Sequence, residues 1–209
     1  MLFTSGDRIV FTGDSVTDAG RGRPVGEGLW QGVGDGYVRT IDNILNVVYP
    51  DWRLWVSNTG TGGDTSRSLK KRWQEDVMNL KPDWVSLMIG INDIAHHLST
   101  DSIVKNITKI IRKIKKETPS TQLYIQSLLP TNDSFERFKT IMGKTPQIIE
   151  INQQLEELAP IEKYTYIDLF PHLTTPGTTV LDPQYTNDGL HLLGDGYLVW
   201  KDVLLPYLQ

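Results

Sequence analysis

Four short segments of the chain contain residues whose types and spacing could carry out an acyl-transfer reaction. They read Gly13–Asp18 (GDSVTD), Asn58–Thr65 (NTGTGGDT), Gly90–Asp93 (GIND) and Asp188–His191 (DGLH). A serine becomes a nucleophile when an imidazole takes its proton and a carboxylate holds that imidazole in place. The segments therefore predict a nucleophile, a base with its orienting carboxylate, and donors for a developing oxyanion.

Ser15 is the candidate nucleophile and His191 the candidate general base. Ser15 stands where a predicted strand gives way to a helix, so we expect its Oγ to point out of the sheet and its N–H to lie at the helix N-terminus. Asp188 precedes His191 by three residues, a spacing that puts both on one side of a helical turn. Taken singly, Ser15 could be a helix cap, and Asp188 and His191 a surface ion pair.

The two middle segments could supply the hydrogen-bond donors. The glycines of Asn58–Thr65 allow a backbone N–H to come close to a reacting oxygen. This segment is neither a P-loop nor a complete dinucleotide-binding motif. The side-chain amide of Asn92 can also donate to an oxyanion. In isolation, a tight turn and a helix cap would explain these two segments better.

Short strands and amphipathic helices must bring these segments together. Strands are predicted at Arg8–Gly13, Leu54–Asn58, Trp84–Ile89, Leu123–Ser127 and Tyr166–Asp168. Segments with helical apolar spacing lie between them. Because strands and helices alternate, we expect one domain over residues 1–209, a three-layer α/β/α sandwich with a five-stranded parallel sheet. Sites in such sheets form at the carboxyl ends of the strands.

The composition excludes several other classes of chemistry. The 209-residue chain has no cysteine, which excludes disulfides, thiolate metal sites and cysteine nucleophiles. Its net charge of −4 gives no electrostatic reason to bind nucleic acid or anionic lipid. We recognise neither a signal peptide nor a membrane-spanning run, so a cytoplasmic location is expected. His96 and His97 are adjacent and would point apart, so no metal site is predicted.

In their order along the chain, the four segments resemble the blocks of the SGNH (GDSL) hydrolase family, which is named for its Ser, Gly, Asn and His. The resemblance implies a flavodoxin-like fold and a serine esterase with Ser15, Asp188 and His191 as its catalytic triad. It also implies an oxyanion hole made by the N–H groups of Ser15 and Gly63 and by the amide of Asn92. The family chemistry requires no metal and no organic cofactor.

Three further residues are candidate substrate contacts: Asp14, Trp30 and Gly62. Asp14 flanks the nucleophile, although its carboxylate is also suited to bonding the backbone of the turn. Trp30 lies in a glycine-rich loop, residues 19–36, where it could stack on a sugar or pack against the body of the protein. Gly62 is in addition the rival of Gly63 as an oxyanion donor, because this block is crowded with glycine.

A finer similarity is to the intracellular acetyl xylan esterases of the same family. It rests on Gly20–Tyr37 (GRGRPVGEGLWQGVGDGY) and Lys81–Asp93 (KPDWVSLMIGIND), while His96–Leu98 departs from a longer insertion expected there. It implies a small acylated substrate, an acetylated oligosaccharide, and assembly into a homo-oligomer. Two other functions stay open: a lysophospholipase or thioesterase, and a non-catalytic carbohydrate-binding protein on the same fold.

Overall fold

The computed structural model describes residues 3–25 and 32–208, which form a parallel sheet covered by helices. The strands are β1 (Arg8–Gly13), β2 (Trp55–Asn58), β3 (Trp84–Met88), β4 (Gln122–Gln126) and β5 (Thr165–Ile167). All pairs are parallel, in the order β2-β1-β3-β4-β5. This is the flavodoxin-like order, whose switch point lies between β1 and β3. The predicted five-stranded α/β fold is confirmed.

Each strand predicted from the sequence exists, and its ends are displaced by no more than one residue. The displacement is clearest at the end of β4, where Ser127 was expected to continue the strand. Its hydroxyl instead accepts hydrogen bonds from the backbone N–H groups of Leu169 and Phe170, at 2.9 and 3.1 Å. The Ser127 N–H still donates to the Ile167 carbonyl at 2.9 Å, and beyond this bond the polar side chain takes the place of the ladder.

The helices of the described ranges form a layer on each face of the sheet. They are α1 (Ser15–Asp18), α2 (Tyr37–Val48), α3 (Ser66–Asp76), α4 (Ile91–Ala95), α5 (Thr100–Glu117), α6 (Thr145–Glu162) and α7 (Gly194–Leu204). On one face α2 packs against α7, while α5 contacts both α3 and α6 on the other. Within these ranges, no helix is long and apolar enough to cross a membrane.

Buried aromatic side chains tie the helices to the sheet. The rings of Tyr37 and Trp200 stack with their centroids 3.9 Å apart, and both side chains are fully buried. The Trp200 indole N–H donates to Gln126 Oε1 at 2.7 Å, and Gln126 in turn donates to the Ser86 hydroxyl at 2.8 Å. These bonds satisfy the polar atoms that the aromatic stack would otherwise leave buried without partners.

At the switch point, β1 and β3 approach each other closely at their carboxyl ends. A Cβ at Gly13 would lie 2.2 Å from the carbonyl oxygen of Met88, so only glycine fits at the end of β1. This close approach brings the residues after β1 beside those after β3. Three of the four segments singled out in the sequence begin at this edge of the sheet.

Candidate active site

Ser15 is placed by a single helical turn that follows directly on β1. The residue opens α1, and its Oγ lies 2.9 Å from His191 Nε2. The structure therefore brings together the two residues that the sequence proposed as nucleophile and base. At this distance the imidazole can take the hydroxyl proton as the serine attacks. The His191 side chain is 34% exposed, which leaves the pair open to a substrate.

Asp188 orients the imidazole from its other side. Its Oδ2 lies 2.7 Å from His191 Nδ1, and its Oδ1 accepts the backbone N–H groups of Leu190 and His191 at 2.9 and 2.8 Å. Burial would raise the pKa of Asp188, but these hydrogen bonds outweigh it and hold the pKa below its usual range. The carboxylate therefore stays ionised and can stabilise an imidazolium.

The local backbone at Asp188–His191 differs from the expectation. The segment is a bend and not a helical turn, and Gly189 adopts φ +84°. The carboxylate of Asp188 supplies the acceptor that folds the bend back on itself, as short polar side chains commonly do. The three-residue spacing correctly predicted that Asp188 bonds His191, but the local structure is a bend and not the expected helical turn.

The donors predicted for the oxyanion lie on adjoining turns. The glycine turn (residues 59–64) contacts the nucleophile turn (residues 13–18), because a Cβ built on Gly62 would stand 4.0 Å from Ser15 Cβ. On its other side, Asn92 Nδ2 donates one hydrogen to the Asp64 carbonyl at 2.9 Å and keeps a second hydrogen free. The N–H groups of Ser15 and Gly63 meet no acceptor among residues 3–25 and 32–208. Such free donors are what a developing oxyanion needs.

The geometry separates Gly62 from Gly63. The Gly62 N–H donates to Asp18 Oδ2 at 2.8 Å and is therefore already used within the protein. Gly63 adopts φ +80° with open space where a Cβ would be, and its N–H is the free one of the two. The contacts favour Gly63 as the backbone donor of the glycine block.

Asp14 is buried and caps a helix, whereas the sequence suggested an exposed substrate contact. Its side chain is 1% exposed, and its Oδ1 caps α1 by accepting the Val16 N–H at 3.1 Å. Burial, with smaller contributions from the charges of Asp64 and Asp93, raises its pKa to about 7. The second candidate contact, Trp30, lies outside the described residues.

A buried asparagine, which the sequence analysis did not single out as functional, organises the glycine turn. Asn58 Nδ2 donates to the carbonyls of Thr17 and Val33 at 2.6 and 2.7 Å, and its Oδ1 accepts the Gly60 N–H at 2.8 Å. From the far side, Arg21 Nε donates to the Gly60 carbonyl at 2.6 Å. Side-chain donors for backbone carbonyls carry no sequence pattern of their own, so only the structure reveals them.

The loop after β4 supports the histidine. The Phe138 ring meets the His191 ring edge-on, with centroids 5.5 Å apart. Nearby, the Asn132 N–H donates to the Gly189 carbonyl at 2.8 Å, and Asn132 Nδ2 donates to the Leu181 carbonyl at 2.8 Å. The sequence analysis assigns no role to this loop, residues 129–146. Its contacts hold the bend that carries Asp188 and His191.

Metal-ligating side chains are not grouped in the described ranges. Across residues 3–25 and 32–208, no three His, Asp or Glu side chains come together as a site for a metal ion.

Comparison with known proteins agrees with this geometry. Residues 11–199 match the GDSL-like lipase/acylhydrolase family. The chain therefore belongs to this family, a class of carboxylic ester hydrolases, as the four sequence blocks predicted.

Several similar proteins are acetylxylan or acetyl-xylooligosaccharide esterases. An acetylxylan esterase from Geobacillus stearothermophilus is 52% identical over 94 residues, which make up 45% of this chain but only 43% of that protein. A solved mutant of Axe2, an acetyl-xylooligosaccharide esterase from Geobacillus, is 27% identical, covers 99% of this chain and 95% of its own, and has a TM-score of 0.85. The Axe2 acetylxylan esterase itself gives 27% identity, the same coverage and a TM-score of 0.84.

Replacement of Gly189 by alanine should disable the site without unfolding the protein. A Cβ there would lie 2.4 Å from the Asn132 carbonyl, so the bend must move and carry His191 with it. A misplacement of about 1 Å typically costs ~10²-fold in rate, and we expect a loss of that order in kcat on an aryl acetate. Gly177→Ala is the matched control, because φ is +77° there and a Cβ meets nothing within 4 Å. Equal losses in the two variants would contradict the prediction.

The raised pKa of Asp14 makes stability depend on pH in a defined direction. The folded state keeps the Asp14 proton up to about pH 7, whereas the unfolded state loses it near the ordinary aspartate pKa of 3.8. The folded state thus binds more protons over this interval, and the free energy of unfolding contributed by Asp14 falls as pH rises from about 4 to 7.

We expect Asp14→Asn to remove that fall while keeping an oxygen for the Val16 N–H. Urea unfolding at pH 5, 6, 7 and 8 measures it. As the pH rises, the unfolding free energy of the wild type should fall relative to that of the variant. A difference that stays constant with pH would show that Asp14 ionises normally in the folded state.

Proposed function

We propose that this protein is a serine esterase that removes small acyl groups, chiefly acetyl, from xylo-oligosaccharides or related sugars. The observation that carries the proposal is the chain of contacts from Ser15 Oγ to His191 Nε2 at 2.9 Å and from His191 Nδ1 to Asp188 Oδ2 at 2.7 Å. Homo-oligomeric assembly, a cytoplasmic location and a single domain over residues 1–209 belong to the same proposal through the family resemblance.

The reaction proceeds through an acyl-enzyme. Ser15 Oγ attacks the ester carbonyl carbon while His191 Nε2 takes the hydroxyl proton, and ionised Asp188 stabilises the imidazolium. The carbonyl oxygen becomes an oxyanion that accepts from the free N–H groups of Ser15 and Gly63 and from Asn92 Nδ2. His191 then returns its proton to the departing alcohol as the C–O bond breaks. A water molecule repeats the sequence, releases the acid and restores Ser15.

Two observations support a sugar ester as the substrate. The Axe2 structures, 27% identical over 99% of this chain, belong to an acetyl-xylooligosaccharide esterase. Three of these structures are described as catalytic mutants, in which alanine replaces a serine, an aspartate or a histidine of Axe2. In this chain, Phe138 also puts an aromatic ring beside the base that protonates the leaving alcohol, and such rings pack well against sugars.

The contacts of the glycine turn disfavour a long acyl chain. Asp18 Oδ2 accepts both the Gly62 N–H and, at 2.6 Å, the guanidinium of Arg23. An ion pair beside the oxyanion donors is a poor surface for an alkyl chain, because burying it would cost desolvation energy. This weighs against a lysophospholipase or thioesterase. The joined triad weighs against a non-catalytic carbohydrate-binding protein.

The Ser15→Ala variant should lose turnover of an aryl acetate by ~10⁴-fold or more, since loss of a serine nucleophile removes the acyl-enzyme route. An aryl phosphonate should add a single label to the wild type, and peptide mass spectrometry should find it on Ser15. The matched control is Ser120→Ala, an exposed serine two residues before the start of β4, at the opposite end of the sheet. Full activity in Ser15→Ala, or a label on another residue, would refute the assignment.

The acyl and alcohol preferences are tested with matched substrates. We expect kcat/KM for aryl acetate to exceed that for aryl octanoate by about tenfold or more, a difference of ~1.4 kcal/mol in transition-state binding. Acetylated xylo-oligosaccharides should release acetate with the wild type and not with Ser15→Ala. Faster cleavage of the octanoate would favour a long-chain acylhydrolase, and glycan binding without release of acetate would favour a binding protein.

A further inference from the structure

One arginine on α3 contacts both the nucleophile turn and the glycine turn. Arg72 is largely buried, with 16% of its side chain exposed. Its Nε donates to Asp64 Oδ2 at 2.5 Å, Nη1 to the Thr59 carbonyl at 2.5 Å, and Nη2 to the Gly13 carbonyl at 3.0 Å. A further bond from Nη1 to Asp76 Oδ2 at 2.8 Å fixes the side chain against its own helix.

These acceptors belong to the backbone segments that carry the oxyanion donors. Gly13 ends β1 two residues before Ser15, and Thr59 opens the glycine turn. Asp64 directly follows Gly63, and its carbonyl holds the Asn92 amide at 2.9 Å. One planar cation thus contacts the nucleophile turn and both ends of the glycine turn, and through Asp64 it is linked to α4.

We propose that Arg72 is a positioning residue for the oxyanion hole: its guanidinium fixes the spacing between the nucleophile turn and the glycine turn so that their free N–H groups face one point. The proposal rests on the proposed esterase function. A guanidinium presents its donors in a rigid plane, and its bonds to a carboxylate are stronger than those between neutral groups. Donors held in advance need no rearrangement as the oxyanion forms.

Two arginines hold backbone carbonyls of the nucleophile turn and the glycine turn. Arg72 and Arg21 occupy the carbonyls of Gly13, Thr59 and Gly60. With those carbonyls tied to guanidinium groups, the backbone cannot rotate to turn them towards the reacting oxygen. A carbonyl turned that way would place negative partial charge beside the oxyanion and oppose the reaction.

Arg72→Lys tests the proposal, because lysine keeps the charge but cannot bridge three separated acceptors. We expect kcat on an aryl acetate to fall ~10- to 100-fold, the cost of a misplacement of up to about 1 Å. KM should change by less than about threefold, since the lost interaction is made only in the transition state. The control is Arg112→Lys, which alters the exposed Arg112–Glu162 pair on α5 and α6 and should leave both constants unchanged.

A second measurement separates positioning from partial unfolding. Unfolded molecules would lower the apparent kcat but leave the affinity of the folded ones intact. Phenylboronic acid forms a tetrahedral adduct on a nucleophilic serine and uses the same donors. Its inhibition constant should rise in Arg72→Lys by about the same factor as kcat falls, with rates normalised by phosphonate titration of active sites. An unchanged inhibition constant would overturn the proposal.

Two further variants test the proposal if lysine at position 72 disturbs the fold. Asp64→Asn retains an oxygen for Arg72 Nε and should lower kcat less than Arg72→Lys does. In Arg72→Ala, millimolar guanidinium chloride should restore part of kcat, whereas equal sodium chloride should not. Absence of rescue in a folded Arg72→Ala, with wild-type kcat in Arg72→Lys, would overturn the positioning role alone. A wild type inactive on every activated ester would instead overturn the proposed function and the inference with it.

Discussion

The hydrogen bond between Ser15 Oγ and His191 Nε2 joins segments that are 176 residues apart in the chain. A single such bond contributes only about 1 kcal/mol to stability, which is too little to hold its own partners in place. The sheet, the bend at Gly189 and the loop after β4 must fix both ends independently. The site is therefore a product of the scaffold: the close approach of Gly13 to Met88 sets one end, and the Asn132–Gly189 contact sets the other.

The proposed oxyanion donors are likewise held in place by contacts from other parts of the chain. Each turn around Ser15 has its carbonyls bound by a side chain: Asn58 holds the carbonyl of Thr17, Arg21 that of Gly60, and Arg72 those of Gly13 and Thr59. The free N–H groups of Ser15 and Gly63 belong to neighbouring peptides of the same turns. Ser15 is half-buried and Gly63 is exposed, so the oxygen of an incoming ester can reach both N–H groups.

The sequence predicted the parts of this molecule that depend on local pattern. Strand positions followed from short apolar runs between polar turns, and the proposed triad followed from residue type and order. What it could not predict depends on contacts between distant segments. Asp14 differs from a surface carboxyl only because later strands bury it. The choice of Gly63 over Gly62 depends on the orientation of Asp18, and Arg72 lies mid-helix, where arginine is usually solvated.

Two aspartates in the nucleophile and base segments show how environment assigns chemical roles to identical side chains. Asp188 receives three hydrogen bonds from its own bend, and its pKa lies below the usual range, so it meets the imidazolium as an anion. Asp14 is fully buried, its Oδ2 has no partner among the described residues, and its pKa is raised to about 7. Below about pH 7, a protonated Asp14 puts no negative charge next to the proposed oxyanion site. If the two environments were exchanged, the imidazolium would lose its negative partner and the oxyanion would gain a negative neighbour. Burial of Asp14 therefore matters as much as the hydrogen bonds to Asp188.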